Sequence, residues 1–130
     1  MGVDYTVRDQ QALTSIHYAA MYGNFIALQF LWVNGAAKLD DKAYTRLVQT
    51  GITPLHLGAQ SGDEQTVNFL LMNGGQINGT SNEGLTPLHY AIIGGHLNMI
   101  KLLISHGADP NKTDIYGVLL LIFMLIFLCL

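Results

Sequence analysis

The stretch Thr53-Pro54-Leu55-His56 returns as Thr86-Pro87-Leu88-His89, 33 residues further on. The same offset carries Gly51 onto Gly84, Gly62 onto Gly95 and Val67 onto Ile100. It also carries Leu70 onto Leu103, Gly74 onto Gly107 and Asn78 onto Asn111. An earlier copy starts at Thr14-Ser15-Ile16-His17, with Gly23 and Gly35 each 39 residues before Gly62 and Gly74. About six extra residues therefore lie in the first connection, 36–50. Self-similarity at one period means a stack of like units, each too small to bury its apolar face alone.

Local chemistry makes each unit a helix pair. Thr53 and Thr86 sit at helix N-cap positions, where a hydroxyl can accept an orphan backbone N–H, and Thr14 opens the corresponding motif of unit one. Pro54 and Pro87 follow at the first helical position, where a missing N–H costs nothing. The first helices are predicted over 54–60 and 87–93, closed by Gly62 and Gly95. The second helices are predicted over 64–72 and 97–105. In them Val67, Leu70 and Leu71, and Ile100, Leu103 and Ile104, have the three-and-four spacing of one buried face. Gly74 and Gly107 then supply a left-handed stop, and little strand is expected.

A 33-residue period opening on Thr-Pro-Leu-His resembles the ankyrin repeat. The resemblance covers about residues 9–117. Unit three carries it most fully, in Gly84-Leu85-Thr86-Pro87-Leu88-His89-Tyr90-Ala91, Gly95-His96, Leu102-Leu103 and Gly107-Ala108-Asp109-Pro110-Asn111. Ser15 in place of proline, Gly58 in place of alanine and Gly74-Gly75-Gln76 depart from the pattern and imply lower local stability. The fold implied is an all-α ankyrin-repeat solenoid of three helix-turn-helix units, with a hydrophobic C-terminal helix or a partial fourth unit. Its parts are a lead-in (1–11), three repeats (12–50, 51–83 and 84–117) and an apolar tail (118–130).

The resemblance also implies roles. His17, His56 and His89 recur at one repeat position, where the family's imidazole bonds within and between turns. Partner proteins meet such stacks on the turn tips and the exposed side of the first helices. Those positions here are Gln49, Thr50 and Ile52, then Asn82, Glu83 and Leu85, and at the helix ends Met21, Tyr22, Gln60, Ser61 and Ile93. Tyr22 and Met21 are the best anchors, since aromatic side chains dominate interface hot spots and methionine adapts its shape. The set is nearly uncharged, which suits a polar-rimmed protein or peptide contact without electrostatic steering.

Composition narrows the remainder. With 6 Lys and Arg against 9 Asp and Glu, the formal charge is −3. That balance does not suit nucleic acid, whose phosphates call for clustered Lys and Arg. A single cysteine, Cys129, leaves no internal disulfide framework and no multi-cysteine zinc site. The histidines show no tight metal spacing, the acids and serines form no triad or carboxylate pair, and the glycines follow the repeat instead of a phosphate loop. No enzyme, cofactor or metal is expected. Residues 1–11 contain Asp4, Arg8 and Asp9 and lack the apolar core of a secretory signal. The expected location is cytoplasmic, with nuclear or membrane-associated sites as alternatives, and the sequons at Asn78 and Asn111 would then stay unused. Gly2 and Thr6 fit the degenerate myristoylation pattern.

The tail complicates this. Residues 118–130 are 13 in a row without a charged or hydroxyl side chain. As a helix they reach about 20 Å, short of a hydrocarbon core of about 30 Å. The leading reading is a non-catalytic protein-interaction module, scaffold or adaptor, with no obligate oligomer for 1–117. The second is the N-terminal ankyrin portion of a membrane protein, of channel or palmitoyltransferase type, truncated in its first transmembrane segment. In a third, the tail stands in for a fourth unit, since Gly117 is in register, and caps unit three.

Overall fold

The computed structural model describes residues 14–34, 43–44 and 49–111. Six helices follow in pairs: α1 (Ser15–Met21) and α2 (Phe25–Val33), α3 (Pro54–Ser61) and α4 (Glu64–Met72), α5 (Pro87–Gly94) and α6 (Leu97–Ser105). The second helices of units two and three match their expected bounds, and the first helices run one residue longer than expected. Two strands lie in the first connection, β1 (Ala43–Tyr44) and β2 (Gln49–Ile52), paired antiparallel with Ala43 opposite Ile52 and Tyr44 opposite Gln49. This ribbon was not expected. Segment 36–50 has no alternation of apolar and polar residues to announce a strand. The lead-in and the tail at 118–130 lie outside the described residues.

Each first helix opens on a box in which histidine takes the place of the usual glutamate. The Thr53 N–H donates to Nδ1 of His56 at 3.1 Å, and the His56 N–H donates to Oγ1 of Thr53 at 3.5 Å. Thr86 and His89 repeat both bonds at 2.9 and 3.4 Å. In unit one the Thr14 N–H donates to Nδ1 of His17 at 3.3 Å. All six of these side chains are buried. Each second helix ends on a side chain that donates to the carbonyl four residues back. Asn34 reaches Phe30 at 2.7 Å, Asn73 reaches Phe69 at 2.8 Å and Nδ1 of His106 reaches Leu102 at 2.9 Å.

Helices α1, α3 and α5 pack side by side as one layer, and α2, α4 and α6 lie behind them. Small residues allow the close approach within the first layer. Ala19, Gly58 and Ala91 share one repeat position, Ala20, Ala59 and Ile92 the next, and all six are buried. Ile16, Leu55 and Leu88 form a continuous row beneath them, backed by Leu28, Val67 and Ile100 and by Leu31, Leu70 and Leu103. The expected buried face of α6 needs one correction. Ile104 is 37% exposed, whereas Met99 is buried. Trp32 and Leu71 hold the same repeat position in units one and two and are half-buried; Trp32 meets the Phe69 ring edge-on. In α4, Thr66 is buried although polar, because Asp63 accepts from both its N–H and its hydroxyl.

Glycine is required where neighbouring units touch. Gly62 has φ +79°, and a Cβ there would fall 2.6 Å from Nδ1 of His96. That ring crosses from unit three to unit two, with Nε2 2.8 Å from the Gln60 carbonyl oxygen.

Candidate functional site

The turns that precede the first helices are tied to each other. The Asn82 N–H donates to the Thr50 carbonyl at 2.8 Å, so the 81–85 turn lies against β2. Gly51, at φ +64°, makes room; a Cβ there would sit 2.6 Å from Oδ1 of Asn82. Ser81 closes the turn. Its N–H donates to the Leu85 carbonyl at 2.8 Å, and its Oγ accepts from the N–H of Glu83 at 3.3 Å and of Leu85 at 3.2 Å. Asn82 and Glu83 project outward and are exposed, while Thr50, Ile52 and Leu85 are half-buried. Ile52 packs against the core and the Leu85 carbonyl is an acceptor for His56, so both also serve the stack. Gln49 lies on β2.

Register places the other candidates in two rows. Met21, Gln60 and Ile93 share the penultimate position of the first-helix segment, and Tyr22, Ser61 and Gly94 share the next. Tyr22 is 76% exposed and Ile93 62%; Gln60 is exposed. Met21 is half-buried against the core. Ser61 is half-buried, and its Oγ donates to the Gly58 carbonyl at 2.7 Å. Pro54 and Pro87 are buried at the first helical positions, as parts of the frame.

Sequence reasoning missed Tyr18. Its ring stacks on Tyr22, with centroids 6.4 Å apart and planes 12° from parallel. The signal was present, since residues four apart on a helix share a face. At the matching position in unit three, Tyr90 is half-buried and meets the His56 ring edge-on at 5.3 Å. Burial, and then the negative charge of Glu83, push the Tyr90 phenol above its ordinary range. Also missed was the outer face of α2, where Ile26, Phe30 and Val33 are all exposed at helical spacing. Phe25–Val33 has one polar residue, Gln29, so the helix is apolar all round and one side of it must face outward.

A family model described as ankyrin repeats, in three copies, matches residues 16–114. The chain belongs to the ankyrin-repeat family. The repeats of this family are generally protein–protein interaction modules and typically non-catalytic. Among the described residues of this ankyrin stack, no helix is long and apolar enough to cross a membrane. No group of three or more His, Cys, Asp and Glu among them could hold a metal ion.

Proposed function

We propose that this ankyrin stack binds a partner protein on the face formed by the turn tips and the exposed ends of the first helices. Tyr22 and Ile93 are its apolar anchors, Tyr18 braces Tyr22, and Met21, Gln60 and Ser61 complete the helix rows. Gln49, Thr50, Ile52, Asn82, Glu83 and Leu85 form the rim at the tips. The observation that supports this most directly is the exposure of Tyr22 and Ile93, two large side chains at the first-helix ends. Exposed aromatic and aliphatic groups with a polar surround have the composition of an interface centre. Glu83 is the one charged group in the set, so binding should depend weakly on salt. The test is capture of partners by the full chain, by Tyr22→Ala and Ile93→Ala, and by the control Met72→Ala on the opposite layer. The reading requires that the first two lose a protein the control retains, at unchanged melting temperature. Equal recovery by all chains refutes it.

A second reading rests on residues 118–130, whose 13 apolar side chains exceed what one end of a three-unit stack can hide. In it the ankyrin units are the leading portion of a membrane protein. Sedimentation with phosphatidylcholine vesicles tests it. Co-sedimentation of the full chain, but not of residues 1–117, supports this reading, and a full chain left in the supernatant ends it.

A further inference from the structure

Asn78 is followed by Gly79, and Asn73 by Gly74. An asparagine before glycine is prone to self-cyclisation, because no side chain hinders the glycine nitrogen as it approaches the asparagine Cγ. The Gly79 nitrogen gives up its proton to solvent and bonds to Cγ of Asn78. The Cγ–Nδ2 bond then breaks, and ammonia leaves with a proton returned from solvent. Water adds to the resulting imide ring and opens it to aspartate or isoaspartate. The net change is one water consumed and one ammonia released, with no oxidation or reduction.

In the assembled stack every group that must move is held. Nδ2 of Asn78 donates to the Gly107 carbonyl at 3.1 Å, and its Oδ1 accepts the Asp109 N–H at 2.9 Å. Both partners belong to unit three. The attacking nitrogen is held too, since the Gly79 N–H donates to the Gln76 carbonyl at 3.1 Å. An amide held this way gives up its proton only when the local structure opens. Asn73 is a control within the same chain. It is exposed at a helix end, its Nδ2 donates to the Phe69 carbonyl of its own helix at 2.8 Å, and the Gly74 N–H makes a 3.3 Å bond to Leu71. Fraying of one turn frees it, with unit three still in place.

We propose that Asn78 is a modification site gated by the docking of unit three: it converts to an acid only while that unit is detached, and the conversion opposes re-docking. The second half follows from hydrogen-bond polarity. In the acid an oxygen replaces Nδ2 and faces the Gly107 carbonyl, acceptor against acceptor. A new negative charge also arises beside Asp109, whose Oδ1 already accepts the Asn111 N–H at 2.9 Å. Isoaspartate further lengthens the backbone within the turn. Loss of ammonia makes the step one-way, and the converted fraction accumulates with the time the third unit spends detached from the second.

The test is incubation of the full chain at mildly alkaline pH, with conversion at each asparagine followed by peptide mass spectrometry. A free peptide spanning 70–82 serves as the open reference. Leu103→Ala loosens unit three by emptying a fully buried position of α6. We expect Asn78 in the full chain to convert about tenfold or more slowly than in the peptide. Leu103→Ala should remove most of that protection at Asn78 and change Asn73 little. Conversion of Asn78 at the peptide's rate, or no response to Leu103→Ala, would overturn the gating. Separately, Asn78→Asp should lower the melting temperature and speed amide exchange across Leu97–Ser105. An unchanged melting temperature and unchanged exchange would overturn the claim that conversion opposes docking.

Discussion

Nε2 of His56 lies 2.9 Å from the carbonyl oxygen of Leu85, a bond that joins the first helix of unit two to the segment leading into unit three. The direction of this bond follows from the other side of the ring. The Thr53 N–H can only donate, so Nδ1 must accept and Nε2 must carry the proton. One neutral imidazole thus caps its own helix and fastens the next unit. His56→Ala leaves the buried Thr53 amide unsatisfied, at about 1–3 kcal/mol, and takes from the Leu85 carbonyl its bond to unit two, leaving it only the Ser81 N–H of its own turn. Loss of the Thr86 cap alone costs about 1 kcal/mol. Urea unfolding should therefore place His56→Ala below Thr86→Ala in stability. Equal midpoints would contradict that order.

Gly58 is a glycine whose place in the fold calls for neither a positive φ nor a close backbone approach. It lies in the interior of α3, and a Cβ there would meet Leu70, Thr66 and Val67 at 3.4 Å, in van der Waals contact. Alanine loses less backbone entropy in a helix and restores the family residue, so Gly58→Ala should stabilise the stack by about 0.5–1 kcal/mol. A rise in melting temperature is the expected reading. A fall would mean that the three neighbours cannot accept the methyl group.

Tyr90 sets an alkaline limit. Burial, followed by the charge of Glu83, holds its phenol above the usual range in the folded chain. A raised value means that the neutral form is favoured by folding. Its contribution is fully present below the unfolded value of about 10 and is lost as pH rises through the higher folded value. Urea midpoints measured from about pH 8 to about pH 11 should fall at the alkaline end, and less so in Tyr90→Phe. Parallel curves for the two chains would contradict the assignment.

The repeat made the helical frame legible because its determinants are local. Thr53 and Pro54 act within one turn of the helix they open, the capping roles of His56 and Gly62 are equally local although each residue also meets unit three, and the period then supplies the stack. What escaped depends on neighbours. Trp32 and Ile104 hold the same repeat position, yet Trp32 is covered by Phe69 of the next unit and Ile104 is exposed. Thr66 is buried because Asp63 satisfies it, which an apolar count cannot register. The ribbon of β1 and β2 falls in the one connection that breaks the period. Among the candidate contacts, register alone placed Tyr22 beside Met21, but the support of Tyr22 by Tyr18 became visible only with the rings in place.

That support has its own consequence. Tyr18→Ala removes the ring that braces Tyr22, and Tyr18 is itself 36% exposed. Partner binding should weaken in Tyr18→Ala, though less than in Tyr22→Ala, and the melting temperature of each should stay close to that of the parent chain. Aromatic pairs of this kind contribute about 0.5–1.5 kcal/mol. Binding unaffected by either change would remove both rings from the site.

Site-specific photocrosslinking in cells tests the central claim most directly. A photoreactive side chain replaces Tyr22, Gln60 or Ile93 on the first-helix face, or Met72 on the opposite layer, in the full chain. All four positions are exposed, so each can label whatever lies against it. The account predicts that positions 22, 60 and 93 yield an adduct with one and the same protein and that position 72 does not. An adduct formed from position 72 but from none of the other three would contradict it.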